Sequence, residues 1–236
     1  MPFTAHLGEL RSCLVKSCLA VMIAFLSCFA YSENLFSVLT APLLKIQTPG
    51  LTLIGTGVPE AFFTKLKVAF IASLFFSTPI LLWQSWNFIA PGLYEHERRT
   101  AFNFVFFGSL FFLLGAWFCY EVIFDLAYRF FLKRYQAIHV RPAIRIGEYL
   151  TSSSKLLLAF GVIFELPVLS YFFARIGWID HRFLIRNFRY AIIFIFLLAA
   201  ILTPTPDVIN QTLLVLPMLM LYLLSIGVAY VWRRSE

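Results

Sequence analysis

Six times along this sequence the chain enters a continuous apolar run: Leu14 to Tyr31, Val68 to Trp83 with flanks that extend it to 66–90, Phe102 to Tyr120, Leu156 to Phe173, Tyr190 to Leu202, and Leu213 to Trp232. These runs constrain the fold more than any motif does. Hydrocarbon offers no water to backbone N–H and C=O groups, so only helices and closed barrels can cross it. A barrel needs strict alternation of apolar and polar residues, which the unbroken Phe and Leu runs lack. The expected fold is therefore an all-α membrane protein, a six-helix transmembrane bundle forming one integral membrane domain over residues 1–236.

Composition leaves room for little else. Of the 236 residues, 61% are hydrophobic and 13% charged, so extramembrane mass is small and no basic soluble domain exists to hold a nucleic acid. The net charge of +7 is read as topology and attraction to the headgroups of a lipid bilayer. Cys13, Cys18, Cys28 and Cys119 all lie in or beside apolar runs, where they read as small packing residues rather than a disulfide framework. His6, His96, His139 and His181 show no metal-ligand spacing, and neither a metal nor any other cofactor is expected. Arg11 and Lys16 before the first run give it a signal-like start, but its 18 residues and the acidic Glu9 ahead of it favour an uncleaved span.

Six spans put both termini on one side. If that side is the cytoplasm, inner segments carry ten Lys/Arg in 53 residues and outer ones nine in 79, a modest bias toward termini inside. Six of the outer cations, Arg129, Lys133, Arg134, Arg141, Arg145 and Lys155, crowd one connection. The two long connections, 33–63 and 121–154, fall on the same face and are expected to form an outer-side loop cap. Thr48-Pro49-Gly50 marks a turn in the first of them, followed by a short extended piece at Leu51 to Ile54. The fifth run is short: 13 residues rise only about 20 Å as a helix against roughly 30 Å of hydrocarbon. It ends at Thr203-Pro204-Thr205-Pro206-Asp207 and makes a short hairpin with the sixth. Pro79 and Pro217 predict kinked helices, with Ser77 and Thr78 available to satisfy carbonyls freed by Pro79.

Glu165 is the residue least at home in these spans. A charged side chain at mid-depth costs roughly 2.5–3.5 kcal/mol on insertion scales, so it should face the bundle interior or a wet cavity. Pro167, two residues on, cannot donate its amide and crowds the Ile163 carbonyl, predicting a break in the same turn. Two polar clusters lie outside the runs. The leader, His6-Leu7-Gly8-Glu9-Leu10-Arg11, has Thr4 placed as an N-cap and leucines at helical spacing. Between the second and third runs stands Phe88-Ile89-Ala90-Pro91-Gly92-Leu93-Tyr94-Glu95-His96-Glu97-Arg98-Arg99, carboxylates beside an apolar wall.

These two clusters, with Ala41-Pro42-Leu43, Phe160 to Pro167, and Thr203 to Thr212, resemble the TatC subunit family of the twin-arginine protein translocase along essentially the whole chain. One departure is the turn before the sixth span, Thr-Pro-Thr-Pro-Asp where the family has Thr-Pro-Pro-Asp. The resemblance implies a concave bundle in a bacterial inner membrane with both termini cytoplasmic. It also implies a receptor for twin-arginine signal peptides of folded precursor proteins. Glu97 would be the principal partner of the signal arginines, Glu9 the second and Glu95 a weaker candidate, with Phe88 and Pro91 packing the site into shape. A guanidinium is a planar, permanently charged fork, and a carboxylate matches it in bidentate geometry. Glu165 would line the peptide-binding concavity. TatA- and TatB-type single-span subunits would dock at Thr203 and Gln211, alongside other TatC copies, with passage driven by the proton-motive force. For Asp207, capping of the sixth helix and a part in docking both stand open.

Two other classes compete. A proton- or cation-coupled small-solute carrier would use Glu165 and requires further ionisable residues at mid-depth; only Asn103, Lys16 and Asp207 come near, at span ends. An intramembrane protease needs its catalytic groups inside the spans, and all four histidines lie outside them, so no enzyme activity is expected.

Overall fold

A computed structural model describes residues 3–46, 51–89, 101–203 and 208–231. The elements in order are α1 (Phe3–Ala30), α2 (Ser32–Lys45), β1 (Thr52–Ile54), α3 (Glu60–Ile89) and α4 (Ala101–Phe118). A π-helical turn (Cys119–Ile123) then leads into α5 (Phe124–Ala137), β2 (Ala143–Arg145), α6 (Ile146–Phe164) and α7 (Leu166–Ile176). The chain ends in α8 (His181–Arg186), α9 (Phe188–Leu202) and α10 (Val208–Val231). Among the described residues five helical stretches are long and apolar enough to cross a membrane: Gly8–Ala30, Glu60–Ile89, Phe102–Ala137, Ile146–Ile176 and Val208–Val231. The sixth apolar helix, α9, has 15 residues and rises only about 22 Å.

Contacts divide the chain into two compact units. The first comprises Met1–Ala41, Leu53–Leu110 and Arg145–Leu150. In it α1 packs along α3, whose Val68, Ala69, Ile71 and Trp86 are buried. The Trp86 ring lies 5.2 Å from that of Phe104 at the start of α4. Lys65 Nζ donates to Glu33 Oε1 at 2.6 Å, joining the start of α3 to the start of α2. The carboxylate of Glu60 gathers three backbone donors: the N–H groups of Thr56, of Gly57 at 3.2 Å, and of Gly147 at 3.0 Å. Tyr149 donates its hydroxyl to the Leu39 carbonyl at 2.7 Å. The two long connections therefore touch, and β1 pairs with β2 in a two-stranded sheet, with Thr52 N–H donating to Pro142 O at 3.3 Å.

The second unit comprises Pro42–Thr52, Phe111–Ile144 and Thr151–Glu236. Within it α4 and α6 approach closely at two glycines. A Cβ on Gly115 would stand 2.5 Å from the Phe160 carbonyl oxygen, and one on Gly161 would stand 2.8 Å from the Phe112 ring. Glycine at both positions lets the backbones approach closely, as small residues do in membrane interfaces. Phe118 fills the space beyond, with ring centroids 6.1 Å from Phe160 and 5.5 Å from Phe164. The π turn inserts an extra residue between α4 and α5, and α5 then buries Phe124 and Leu132. Tyr128 bonds Ser153 at 2.6 Å. Helix α10 packs on α7, α8 and α9.

One expectation needs correcting, and that for the hydroxyls beside Pro79 holds for only one of them. The segment 121–154, read as a loop, is mostly helix and strand. The loss of apolar character near Tyr120 ends the hydrocarbon stretch but not the helix, because Phe124, Tyr128 and Leu132 at spacing of four keep one face packed. Pro79 stays within α3, and the two hydroxyls beside it behave differently from each other. Thr78 donates to the Leu74 carbonyl at 2.9 Å, whereas the Ser77 hydroxyl, buried, has no hydrogen-bond partner among the described residues. Pro217 likewise lies inside α10.

Candidate functional site

Glu9 and Phe88 both belong to the first unit. The Glu33–Lys65 pair ties the start of α2, just past the end of α1, to the start of α3, so the packed helices α1 and α3 run in opposite directions. From Glu9 to the end of α1 at Ala30 the helix rises about 32 Å, and from Lys65 to Phe88 about 35 Å. Glu9 and Phe88, both half-buried, are thereby brought to the same level at one end of this unit. Pro91, Glu95 and Glu97 lie outside the described residues, as does Asp207. At the opposite end the hydrogen bond from Lys65, then the attraction of its charge, holds the Glu33 carboxyl below its ordinary value.

Glu165 separates α6 from α7, in the second unit. Its backbone stays near helical, at φ −71° and ψ −18°, its N–H donates to Val162 O at 3.1 Å, and its carbonyl accepts from Leu169 N at 2.8 Å. Pro167 supplies no donor in this turn, which is the physical reason for the break. The side chain is 7% exposed, and neither carboxyl oxygen has a hydrogen-bond partner among the described residues. It is the only buried carboxylate among the described residues. An inward-facing acid at a helix break, as its cost in hydrocarbon requires, is what the structure places there.

The α9–α10 hairpin carries Thr203 and Gln211, and both spend their donors on the hairpin itself. Thr203 Oγ1 donates to Ala199 O at 2.9 Å, and Gln211 Nε2 donates to Phe196 O at 2.8 Å. Gln211 therefore staples α10 to the backbone of α9. Sequence reasoning missed its neighbour Asn210, which is 5% exposed and whose carboxamide has no partner among the described residues. Asn210 lines a small, largely apolar pocket with Tyr128, Phe131, Leu156, Leu202 and Leu214. The signal was available: Asn210 and Gln211 are consecutive amides opening an otherwise apolar run. Among the described residues no three His, Cys, Asp or Glu side chains come together in a way that would hold a metal.

A family model described as Sec-independent protein translocase protein (TatC) matches residues 5–217. A Sec-independent protein translocase protein TatC from Desulforapulum autotrophicum is 42% identical over 236 residues, covering 100% of this chain and 86% of that one. Its counterpart from Campylobacter jejuni is 42% identical over 222 residues, 94% of this chain and 90% of the relative. Among solved structures, a crystal structure of the twin-arginine translocase receptor TatC superposes with a TM-score of 0.87 at 33% identity, covering 97% of this chain and 100% of that one.

Proposed function

The chain belongs to the TatC family of Sec-independent protein translocase proteins, and on that premise we propose that it is the receptor subunit of a twin-arginine translocation system. The observation that carries this reading is the agreement of fold over 97% of the chain with a structure titled as the twin-arginine translocase receptor. It is a multi-pass membrane protein and a translocase subunit. The carrier alternative gains no support from the family or from the buried polar residues.

Both termini face the cytoplasm of a bacterial inner membrane. A signal peptide of a folded precursor docks its two arginines at the end of the first unit that carries Glu9 and Phe88. Glu97, eight residues beyond Ile89, is the principal arginine partner and Glu9 the second, with Pro91 shaping the wall and Glu95 contributing less. Each charge-assisted hydrogen bond contributes about 1.5–3 kcal/mol net, enough to discriminate arginine from lysine while leaving capture reversible. Glu165 presents a polar group to the peptide or its hydration at a break in the fourth span. TatA- and TatB-type subunits dock at the α9–α10 hairpin. Interhelical hydrogen bonds in lipid contribute only about 0.6–2 kcal/mol, which suits partners that exchange. The proton-motive force supplies the energy. The test is export of a folded twin-arginine precursor by cells whose only copy carries Glu97→Ala: the variant inserts normally and export is lost. Normal export removes Glu97 from its assigned role.

A further inference from the structure

We propose that the connection between α7 and α9 is a binding site for the headgroup of an anionic phospholipid, with Arg182 and Arg186 gripping one phosphodiester. Between residues 175 and 189 the sequence places four arginines, no lysine and a single carboxylate, Asp180. That carboxylate is engaged by the ring Nδ1 of His181. Burial pushes the Asp180 carboxyl up, but the hydrogen bonds and charge of His181, with the charge of Arg182, outweigh it and the net shift is downward. Among the described residues neither Arg182 nor Arg186 forms an ion pair with a carboxylate.

Two like charges four residues apart on a helix repel, and an anion held between Arg182 and Arg186 on the same face of α8 would relieve that repulsion. The helix is held rigidly enough to present them. His181 is buried against the ring of Tyr230, centroids 5.2 Å apart, and the Leu184 carbonyl accepts the Tyr222 hydroxyl at 3.0 Å. Both contacts fasten α8 to α10 and leave Arg182 and Arg186 exposed. The surroundings choose a lipid over a soluble anion. Trp178 is 64% exposed, and Phe183, Ile185 and Tyr190 are exposed as well, beside Arg189, whose guanidinium stacks 4.8 Å from the Tyr190 ring. Aromatic and aliphatic side chains interleaved with cations at the ends of two spans match the boundary between acyl chains and headgroups. A planar guanidinium pair suits a phosphate diester, whose single negative charge is shared by two oxygens that accept parallel N–H donors, and the choline cation beside the same diester in phosphatidylcholine would repel the arginines.

The experiment is native mass spectrometry of the full chain in neutral detergent, titrated with phosphatidylglycerol or with phosphatidylcholine of the same acyl chains. The first phosphatidylglycerol is expected to bind about tenfold tighter than phosphatidylcholine, and Arg182→Gln with Arg186→Gln to remove that preference. Arg129→Gln, at a residue already paired with Asp125, is expected to leave it intact. A wild-type protein with no preference overturns the proposal without any variant. So does a double variant that melts like wild type in phosphatidylcholine yet keeps the preference. Glycerol 3-phosphate is the arm that separates sources: displacement of the lipid by equimolar glycerol 3-phosphate would mean a site for a soluble phosphate ester and would also overturn it. Should the double variant fail to fold, the two single variants, each expected to reduce the preference, decide the matter.

Discussion

Gly115→Ala should loosen the seam beside the Glu165 break. The added methyl would stand 2.5 Å from the Phe160 carbonyl oxygen and 2.8 Å from both Cβ and Cγ of Phe164. Ordinary contacts lie near 3.5–4.0 Å, so α4 and α6 must part by ~1 Å, and no side-chain rotation relieves a clash with a backbone oxygen and a Cβ. Overpacking of this kind costs about 3 kcal/mol at the upper end of its range, and the gain from replacing a mid-helix glycine offsets about 0.5–1 of that. The net is about 2 kcal/mol, or a melting midpoint lowered by ~4–8 °C for a chain of this size. Gly161→Ala is the internal control. Its methyl meets the tip of the Phe112 ring, which can swing, so about 1 kcal/mol of crowding nearly cancels the helix gain. Thermal unfolding of both variants in one detergent measures the difference. A Gly115→Ala protein that melts at or above wild type, or two variants with the same midpoint, refutes the close approach as described.

Two further perturbations follow from the hydrogen-bond pattern. Glu60→Gln keeps the size of the side chain but replaces an anionic acceptor for three backbone N–H groups with an amide. Faster amide exchange at Thr56, Gly57 and Gly147 is expected, with α3 itself unchanged, and unaltered exchange contradicts the clasp. Glu165→Gln retains hydrogen-bonding capacity and volume at a site that gives the acid no partner among the described residues, so export should stay within a few-fold of wild type. Complete loss of export with the protein still assembled would show instead that the charge is essential.

The membrane helices were legible because the long apolar runs declare themselves; α9 ends at Leu202, where the fifth run ends, whereas α10 begins at Val208, five residues before the sixth run. Helix extents outside hydrocarbon were not. A hydropathy run stops at the first charges, whereas α1 begins at Phe3 and the third span continues through the π turn to Ala137, carried by packing on one face. The β1 strand fell within Leu51 to Ile54, where an extended piece was expected, while the Thr48-Pro49-Gly50 turn lies outside the described residues. The break at Glu165 was readable from Pro167 alone, since turn chemistry is local. Longer-range facts left no trace in a single sequence: that Glu60 would clasp Gly147, or that Gln211 would spend its amide on Phe196 O, depends on which segments the fold brings together. Of the proposed peptide site, Glu9 and Phe88 are placed by helix length and the Glu33–Lys65 tie, while the roles of Glu97, Glu95 and Pro91 come from family resemblance.

Receptor function is tested most directly by photo-crosslinking from a probe installed at position 97 to a signal peptide carrying two arginines, with a two-lysine peptide alongside. The proposed pairing predicts a crosslink with arginines that is lost or sharply reduced with lysines, because an ammonium cannot reproduce the bidentate fork. Equal crosslinking of the two peptides, or none from either, would contradict recognition of the arginine pair at this site.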